Sequence, residues 1–356
     1  MNYAHCTASK PVIMKRILFV LLCAALFPLR MFAQADIHFS QFYELSTLRN
    51  PALVGVSSGN YRVTAYYRNQ WSSVTNPYET MLINGEYRFT LSGSSNDFLS
   101  VGLLGFSDKA GDIDQKITGV YPAINFNKSL DQNNNSYLSF GFTGGYLQTS
   151  FDPTKATFNN QFQSGIFNAA NPTMENLPNP KFTVYDIGAG INYNFTPGSR
   201  DEATYLFGLS GYHFTQPAFS YYTTFRNTEN VRWNVNASMI RDLSNSIILQ
   251  THINYANQGT YTELIGGFLL GWKTFTVHTE PTFEIFAGPM FRYGDAVIPV
   301  VKLKYKNMSV GASYDVNVSS LKPASDMEGG FEMTLTLTGD YPPNAAVYKK
   351  TVCPRF

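Results

Sequence analysis

The stretch Asn307–Ser319 constrains this chain more than any other. Met308, Val310, Ala312, Tyr314, Val316 and Val318 fall on one parity. Asn307, Ser309, Gly311, Ser313, Asp315, Asn317 and Ser319 fall on the other. A strand points successive side chains to opposite faces, so one face is apolar and the other polar. A half-buried soluble strand gives the same pattern over about 5–6 residues. This alternation runs for thirteen residues, enough for a tilted strand to cross a bilayer, which takes about 9–11.

The pattern recurs. Tyr185, Ile187, Ala189, Ile191, Tyr193 and Phe195 alternate with Asp186, Gly188, Gly190, Asn192 and Asn194. Trp233, Val235, Ala237 and Met239 alternate with Asn234, Asn236 and Ser238, and Phe331, Met333, Leu335 and Leu337 with Glu332, Thr334, Thr336 and Thr338. A parity of Gly and small polar residues suits a barrel interior better than a packed protein core. Fourteen strands are expected: Tyr61–Trp71, Glu79–Leu91, Phe98–Ser107, Gln115–Lys128, Tyr137–Phe151, Phe182–Thr196, Ala203–Phe214, Val231–Asp242, Ser246–Tyr255, Tyr261–Lys273, Phe283–Tyr293, Ala296–Tyr305, Met308–Ser319 and Gly330–Gly339. The number is even, as in bacterial single-chain barrels.

The start of the chain bears on compartment. Lys15 and Arg16 precede an apolar run from Ile17 to Leu29, and Ala33-Gln34-Ala35 follows. This is the plan of a secretory signal peptide, with Met14 as an alternative start and cleavage after Ala33 or Ala35. A bulky Leu22 precedes Cys23, so lipoprotein processing is not expected. Beyond Ala35 no apolar run approaches the length of a spanning helix. The expected organisation is a signal peptide over 1–33, an N-terminal periplasmic or plug segment over 34–60, a barrel over 61–341 and a periplasmic tail over 342–356. Composition agrees with export to a membrane. Charged residues make up 14% of the 356 and aromatics 15%, against roughly 25% charged in soluble domains. A net charge of +1 gives no electrostatic footprint for nucleic acid. Once Cys6 and Cys23 leave, Cys353 stands alone, which excludes an internal disulfide.

Loop lengths provide a separate indication. With the N-terminus on the periplasmic side, the outer connections include Asp152–Lys181, Thr215–Asn230 and Ser320–Gly329. The inner ones include Ser92–Asp97, Pro197–Glu202, Leu243–Asn245 and Lys306-Asn307. Long loops outside and short turns inside are the asymmetry of outer-membrane barrels. The fold class is therefore all-β, a transmembrane outer-membrane antiparallel β-barrel of about fourteen strands. Arg62 and Arg68 fall on the polar parity of the first strand and are expected to face the lumen and pair with carboxylates, because an unpaired buried charge is expensive.

Catalytic and metal chemistry find little support. His38, His213, His252 and His278 have no neighbours at metal spacing, and no H-E-x-x-H, G-x-S-x-G or P-loop pattern occurs. Asp108, Asp112 and Asp114 around Gly111 do not match the calcium-loop template and read as a solvated turn. No catalytic residue, metal, cofactor or small-molecule substrate is expected. The outer loop Asp152–Lys181 holds Phe158, Phe162, Phe167, Met174 and Leu177. A loop of that length with so many apolar residues is expected to fold over the barrel mouth and form part of a partner-binding surface, with a plain lid as the alternative.

Six motifs in order resemble the PorP/SprF family of outer-membrane proteins of the type IX secretion and gliding-motility apparatus. They are Asp36-Ile37-His38-Phe39-Ser40-Gln41-Phe42, Asn50-Pro51-Ala52 with Gly55, and Tyr67-Arg68-Asn69-Gln70-Trp71, then Asp108-Lys109 with Gly111, Tyr314-Asp315-Val316-Asn317 and Gly329-Gly330-Phe331-Glu332. The end, Cys353-Pro354-Arg355-Phe356, is also similar. Ile37 and Phe42 depart from the family's opening pattern. The resemblance implies an outer-membrane barrel without enzymatic activity. Its partners would be outer-membrane lipid and either type IX secretion components or a secreted adhesin. A passive porin-like barrel is the alternative function, because strand periodicity is the same for both.

Overall fold

The computed structural model describes residues 36–71, 76–91, 96–131, 135–175, 179–197, 203–221, 227–275, 282–319 and 328–340. In chain order the strands are β1 (Tyr61–Gln70), β2 (Tyr78–Thr90), β3 (Phe98–Ala110), β4 (Gln115–Ser129) and β5 (Ser136–Ser150). A small hairpin follows, β6 (Phe162–Gln163) and β7 (Ile166–Phe167). Then come β8 (Lys181–Phe195), β9 (Ala203–Tyr212), β10 (Arg232–Ser244), β11 (Ile247–Gln258) and β12 (Tyr261–Thr274). The last are β13 (Phe283–Arg292), β14 (Ala296–Tyr305), β15 (Met308–Asn317) and β16 (Glu328–Gly339).

Apart from the hairpin, the strands form one closed barrel of fourteen, each antiparallel to its neighbours in chain order. β1 closes on β16 from Tyr61↔Gly339 to Gln70↔Gly330. Closure removes every sheet edge, so the backbone polar groups are satisfied inside a lipid phase. The polarity is inverted relative to a soluble β-protein. In β15, Ser309, Ser313, Asp315 and Asn317 are buried, while Met308 and Tyr314 are exposed. In β16, Glu332, Thr334 and Thr336 are buried and Phe331, Met333, Leu335 and Leu337 are exposed. Ile83, Leu103, Phe142, Tyr185, Trp233, Trp272 and Val301 continue the apolar outer surface. No helix among the described residues is long and apolar enough to cross a membrane. The strands supply the crossing.

Boundaries shift slightly from the periodic reading, for local reasons. The first strand ends at Gln70 rather than Trp71, because Trp71 adopts φ 60° and leaves the ladder. β9 ends at Tyr212 rather than Phe214, where His213 also has φ 60°. β11 runs three residues past Tyr255, to Gln258, since Gly259 at φ 58° permits a tight turn into β12. The chain leaves β5, β9 and β15, which precede its long connections, at one and the same end of the barrel, here the long-loop end. Asn60 donates its N–H to the Gly339 carbonyl at the opposite, short-turn end (2.7 Å).

The interior is filled. Residues 36–60, upstream of β1, lie inside the barrel as short helical turns, Phe42–Glu44, Ser46–Arg49 and Pro51–Leu53. Phe42 packs into an apolar patch of Ile240, Ile248, Ile265, Leu269, Phe286, Met290, Ile298 and Val300 on the inner wall. Phe39 and Leu45 pack with Tyr66, Leu82, Leu104, Phe106, Tyr121 and Leu147 on the facing wall. An inner wall with two apolar patches is not what a uniformly polar lumen predicts. The patches exist because the N-terminal segment brings its own apolar side chains.

Candidate functional site

The lumen and its long-loop end are the candidate site. The N-terminal segment is held at three levels. Near the long-loop end, Glu332 accepts hydrogen bonds from the N–H groups of Ser40 (2.8 Å) and Gln41 (3.0 Å) and from the Tyr66 hydroxyl. Arg68 pairs with Glu332 at 3.2 Å and donates to the His38 carbonyl. Arg292 pairs with Asp315 at 3.0 Å and donates to the Ser40 hydroxyl at 2.7 Å. Buried charges this close offset their desolvation only when paired and fully hydrogen-bonded, and here the N-terminal segment, residues 36–60 and called the strap below, supplies part of the bonding.

In the middle, Lys302 pairs with Glu44 of the strap. Arg49 donates to Ser238 (2.8 Å), and Asn50 Nδ2 to the Ile191 carbonyl (3.1 Å) and Asn236 (3.2 Å). The wall opposite Asn50-Pro51-Ala52 is glycine. A Cβ on Gly190 would stand 2.0 Å from Asn50 Oδ1, and one on Gly141 2.2 Å from the Ala52 nitrogen. Toward the short-turn end, Glu86 accepts from Ser46, from the Gly55 N–H (2.7 Å) and from Arg62 (2.7 Å). Gly55 sits at φ +74° against Ser100, a conformation and clearance that favour glycine.

The two arginines are thus where the lumen needs them. Arg62 is buried against Glu86, and Arg68 is buried among Glu332, Asp315 and the strap.

At the long-loop mouth, Asp36 forms a second cluster. Its carboxylate meets Arg232 NH1 at 3.0 Å and His213 Nε2 at 3.3 Å. His213 Nδ1 lies 2.9 Å from Asp186. Burial by itself would lower the His213 pKa, but the bonds and charges of Asp186 and Asp36 outweigh it and lift it to about 10. Phe219, from the connection between β9 and β10, packs beside the Phe39 cluster, with its ring 6.0 Å from that of Phe182.

The long loop after β5 is anchored at its root and bonded within its tip. Its root is fixed by the Asp152 N–H to the Ile113 carbonyl (2.9 Å) and by the Lys155–Asp114 ion pair. Asp114, bonded to Lys109 and Lys155, has its pKa lowered to about 2. Its tip bonds within itself: Gln161 N–H to Phe158, Asn168 N–H to Gln161, and Asn160 Nδ2 to Thr173. Phe162, Phe167 and Met174 are exposed, Met174 at 80%, and Phe158 is half-buried. The Phe162 and Phe167 rings contact each other at 5.4 Å. Leu177 lies outside the described residues, as do His278, Cys353 and Pro354.

Among the described residues, no group of three or more His, Cys, Asp or Glu could hold a metal ion. The sequence matches the family described as type IX secretion system membrane protein PorP/SprF over residues 31–337. The chain belongs to the PorP/SprF family. No curated protein matches it. Solved structures similar to this PorP/SprF chain include the toluene transporter TbuX of Ralstonia pickettii, at 7% identity over 82% of this chain and 91% of that one, TM-score 0.46. A FadL homologue of Pseudomonas aeruginosa is similar at 10% identity over 81% and 92%, TM-score 0.46. These are distant likenesses, and the family assignment rests on the sequence match alone.

Many of the residues that mark the PorP/SprF resemblance converge in the filled lumen. Ser40, Gln41, Arg68, Asp315 and Glu332 form the upper lock. Gln70 accepts from Arg68 at 2.9 Å. Asn50, Pro51 and Gly55 make the turn against the glycine wall. Tyr67 and Asn69 face outward beside each other, with Asn69 Nδ2 donating to the Tyr67 hydroxyl (3.2 Å), and Trp71 meets Tyr78 edge-on. Sequence reasoning missed Arg292, Asn236, Asp186 and Arg232. Their partners lie on other elements of the chain, Asp36 for Arg232 being 196 residues off and Ser40 for Arg292 252, so no local spacing could reveal them.

Proposed function

We propose that this PorP/SprF protein is a non-enzymatic outer-membrane accessory of type IX secretion that helps deliver or hold a secreted partner, such as an adhesin, at the cell surface. The observation that carries the reading is the filled lumen. Residues 36–60 are bonded to the wall at every level from Asp36 to Asn60, which opposes a constitutive aqueous pore. What remains for a partner is the long-loop end, taken here as the cell exterior. The exposed side chains of Phe162, Ile166, Phe167 and Met174 there are the proposed contact, with Phe158 beside them in the chain.

The test replaces Asn159–Asn176 with a short Gly-Ser turn. The barrel is expected to assemble while surface display of the partner falls. Normal display would remove the loop from the contact. Crosslinking in native outer membrane is expected to capture an adhesin or a secretion component. A steady open-channel conductance of the intact protein in planar bilayers, with no such capture, would favour the porin-like alternative.

A further inference from the structure

We infer that the long-loop end of β8, Lys181–Tyr185, is a docking edge for an extended strand of the secreted partner. That strand runs antiparallel to β8 and carries an aromatic, a threonine and an acidic side chain at alternate positions. The inference deepens the proposed function and rests on its placement of the partner at the long-loop end.

The barrel wall has a step here. β8 pairs with β5 along its whole length, from Lys181↔Ser150 to Phe195↔Ser136. It pairs with β9 only from Ala189↔Gly211 to Phe195↔Tyr205. The chain leaves that ladder at His213, which has φ 60°. The connection beyond bonds to the β8 backbone through the Phe214 N–H to the Ile187 carbonyl (3.2 Å) and the Thr215 hydroxyl to the Tyr185 carbonyl (3.0 Å). Then it folds on itself. The Phe219 N–H donates to the Asn227 carbonyl and the Glu229 N–H to the Pro217 carbonyl, and the Phe219 and Tyr221 rings pack on the inward-facing Phe182.

Alternation fixes which backbone groups remain. Successive residues of a central strand turn their N–H and C=O first to one neighbour and then to the other. The odd-numbered residues of β8 turn toward the β9 side, as the bonds to Tyr185 and Ile187 show. Lys181 and Thr183 therefore direct both groups, and Tyr185 its N–H, to a side where no described residue bonds them. All three side chains are exposed, Tyr185 at 69%. Such a row on a strand edge is a template for one more strand, which here continues the line of β9.

The outer face of the sheet specifies the side chains of that strand. Lys109, Lys116, Ser150 and Lys181 follow one another across β3, β4, β5 and β8. Lys109 pairs with Asp114 at 2.7 Å, whereas Lys116 and Lys181 form no ion pair among the described residues. Opposite charges facing each other on neighbouring strands attract, so an acidic side chain suits the position opposite Lys181. Thr183 continues a polar row through Gln148 and Thr118, which suits a threonine. Tyr185 lies edge-to-face with Tyr146 at 5.8 Å, which suits an aromatic ring. The loop that carries the exposed Phe162 and Phe167 leads directly into Lys181, so a strand on this edge lies at the foot of the proposed contact.

The probe is a fluorescent synthetic peptide containing Tyr-Val-Thr-Val-Glu, titrated against the purified full-length barrel. Saturable binding is expected, weakened by about tenfold or more when the backbone nitrogens of its Thr and Glu are methylated, since both donate to the edge. No saturable binding, or equal binding of the methylated peptide, would overturn the inference. Thr183→Pro removes an edge N–H and spares the bonds to β5, which the even-numbered residues make. The barrel is expected to assemble and to lose the peptide; an assembled variant that keeps it would overturn the inference. Lys181→Glu, the second variant, is expected to prefer a peptide with Lys in place of Glu, and an unchanged preference would overturn the assigned register. On cells, Thr183→Pro is expected to lower display of the partner with the loop intact. Normal display, where replacing Asn159–Asn176 abolishes it, would overturn the edge and keep the loop contact. Normal display after either change would overturn the reading on which the inference rests.

Discussion

At the residue scale, the lumen is a set of buried charges whose pairing the fold must protect. Arg68 and Glu332 are both almost fully buried, so removing one strands the other. Arg68→Ala is expected to destabilise the barrel by about 3–5 kcal/mol, the usual cost of breaking a buried pair from one side. The loss is read as a lower temperature for the heat-induced mobility change of the folded barrel; an unchanged transition would show that water reaches Glu332. The arginine parity was readable from β1 alone, because an arginine facing lipid at mid-membrane costs about 2–4 kcal/mol. Its acceptor was readable only as a type, since Glu332 lies in the last strand. His213 gives a pH signature. Its pKa is raised to about 10 in the folded protein from an ordinary value of about 6.5. Its contribution is therefore complete below about pH 6.5 and is lost as pH rises toward 10. The wild-type unfolding temperature should fall across that window, and His213→Gln should flatten the dependence. Equal slopes in both proteins would place the titration elsewhere.

At the level of elements, the strap and its glycine wall are matched. Gly190→Val would put a Cβ where Asn50 Oδ1 now sits, 2.0 Å away, and the backbone of a barrel strand cannot yield easily. The strap's turn at Asn50-Pro51-Ala52 should detach while the barrel still closes. Proteolysis of the folded protein should then cut within residues 45–57, which are protected in the wild type; continued protection would mean the wall adapts. The strands themselves were legible because parity is a local property, and β15 or β16 shows it without any partner. β12, β13 and β14 were less clear in polarity. Ile265, Leu269, Phe286, Met290, Ile298 and Val300 are apolar and face inward, where periodicity predicts polar groups. They face Phe42, which departs from the family's opening pattern. The strap was legible as an irregular lead-in with Pro and Gly breakers, but not as a threaded plug, because its contacts are spread round the whole wall, from 31 residues away at Glu86 to 186 at Asn236 and 252 at Arg292.

At the scale of the whole molecule, the question is whether the barrel is built around an opening that the strap closes. The wall is polar along most of its inner face. Asn84, Asn125, Asn127, Ser139, Thr143, Asn192, Ser210, Asn234, Asn236 and Asn254 are all buried within it. Several wall charges are paired within the wall, as Arg62 is with Glu86 and Arg292 with Asp315. Fourteen closed strands hold their own ladder without the strap, and among the described residues Lys302, Arg232 and His213 lose ion-pair partners if Glu44 and Asp36 leave. Deleting residues 36–57 behind an intact signal segment should therefore yield a less stable barrel that still shows a heat-modifiable band. Water would replace the strap against the asparagines, while the Phe42 patch would stay poorly wetted. In planar bilayers this variant is expected to conduct ions steadily where the intact protein does not. Equal, negligible conductance of an assembled variant would mean that the loops at the long-loop end, Phe219 foremost, seal the mouth without the strap. Equal, large conductance of both would mean that the strap leaves the lumen in the native membrane and that the filled state does not define function.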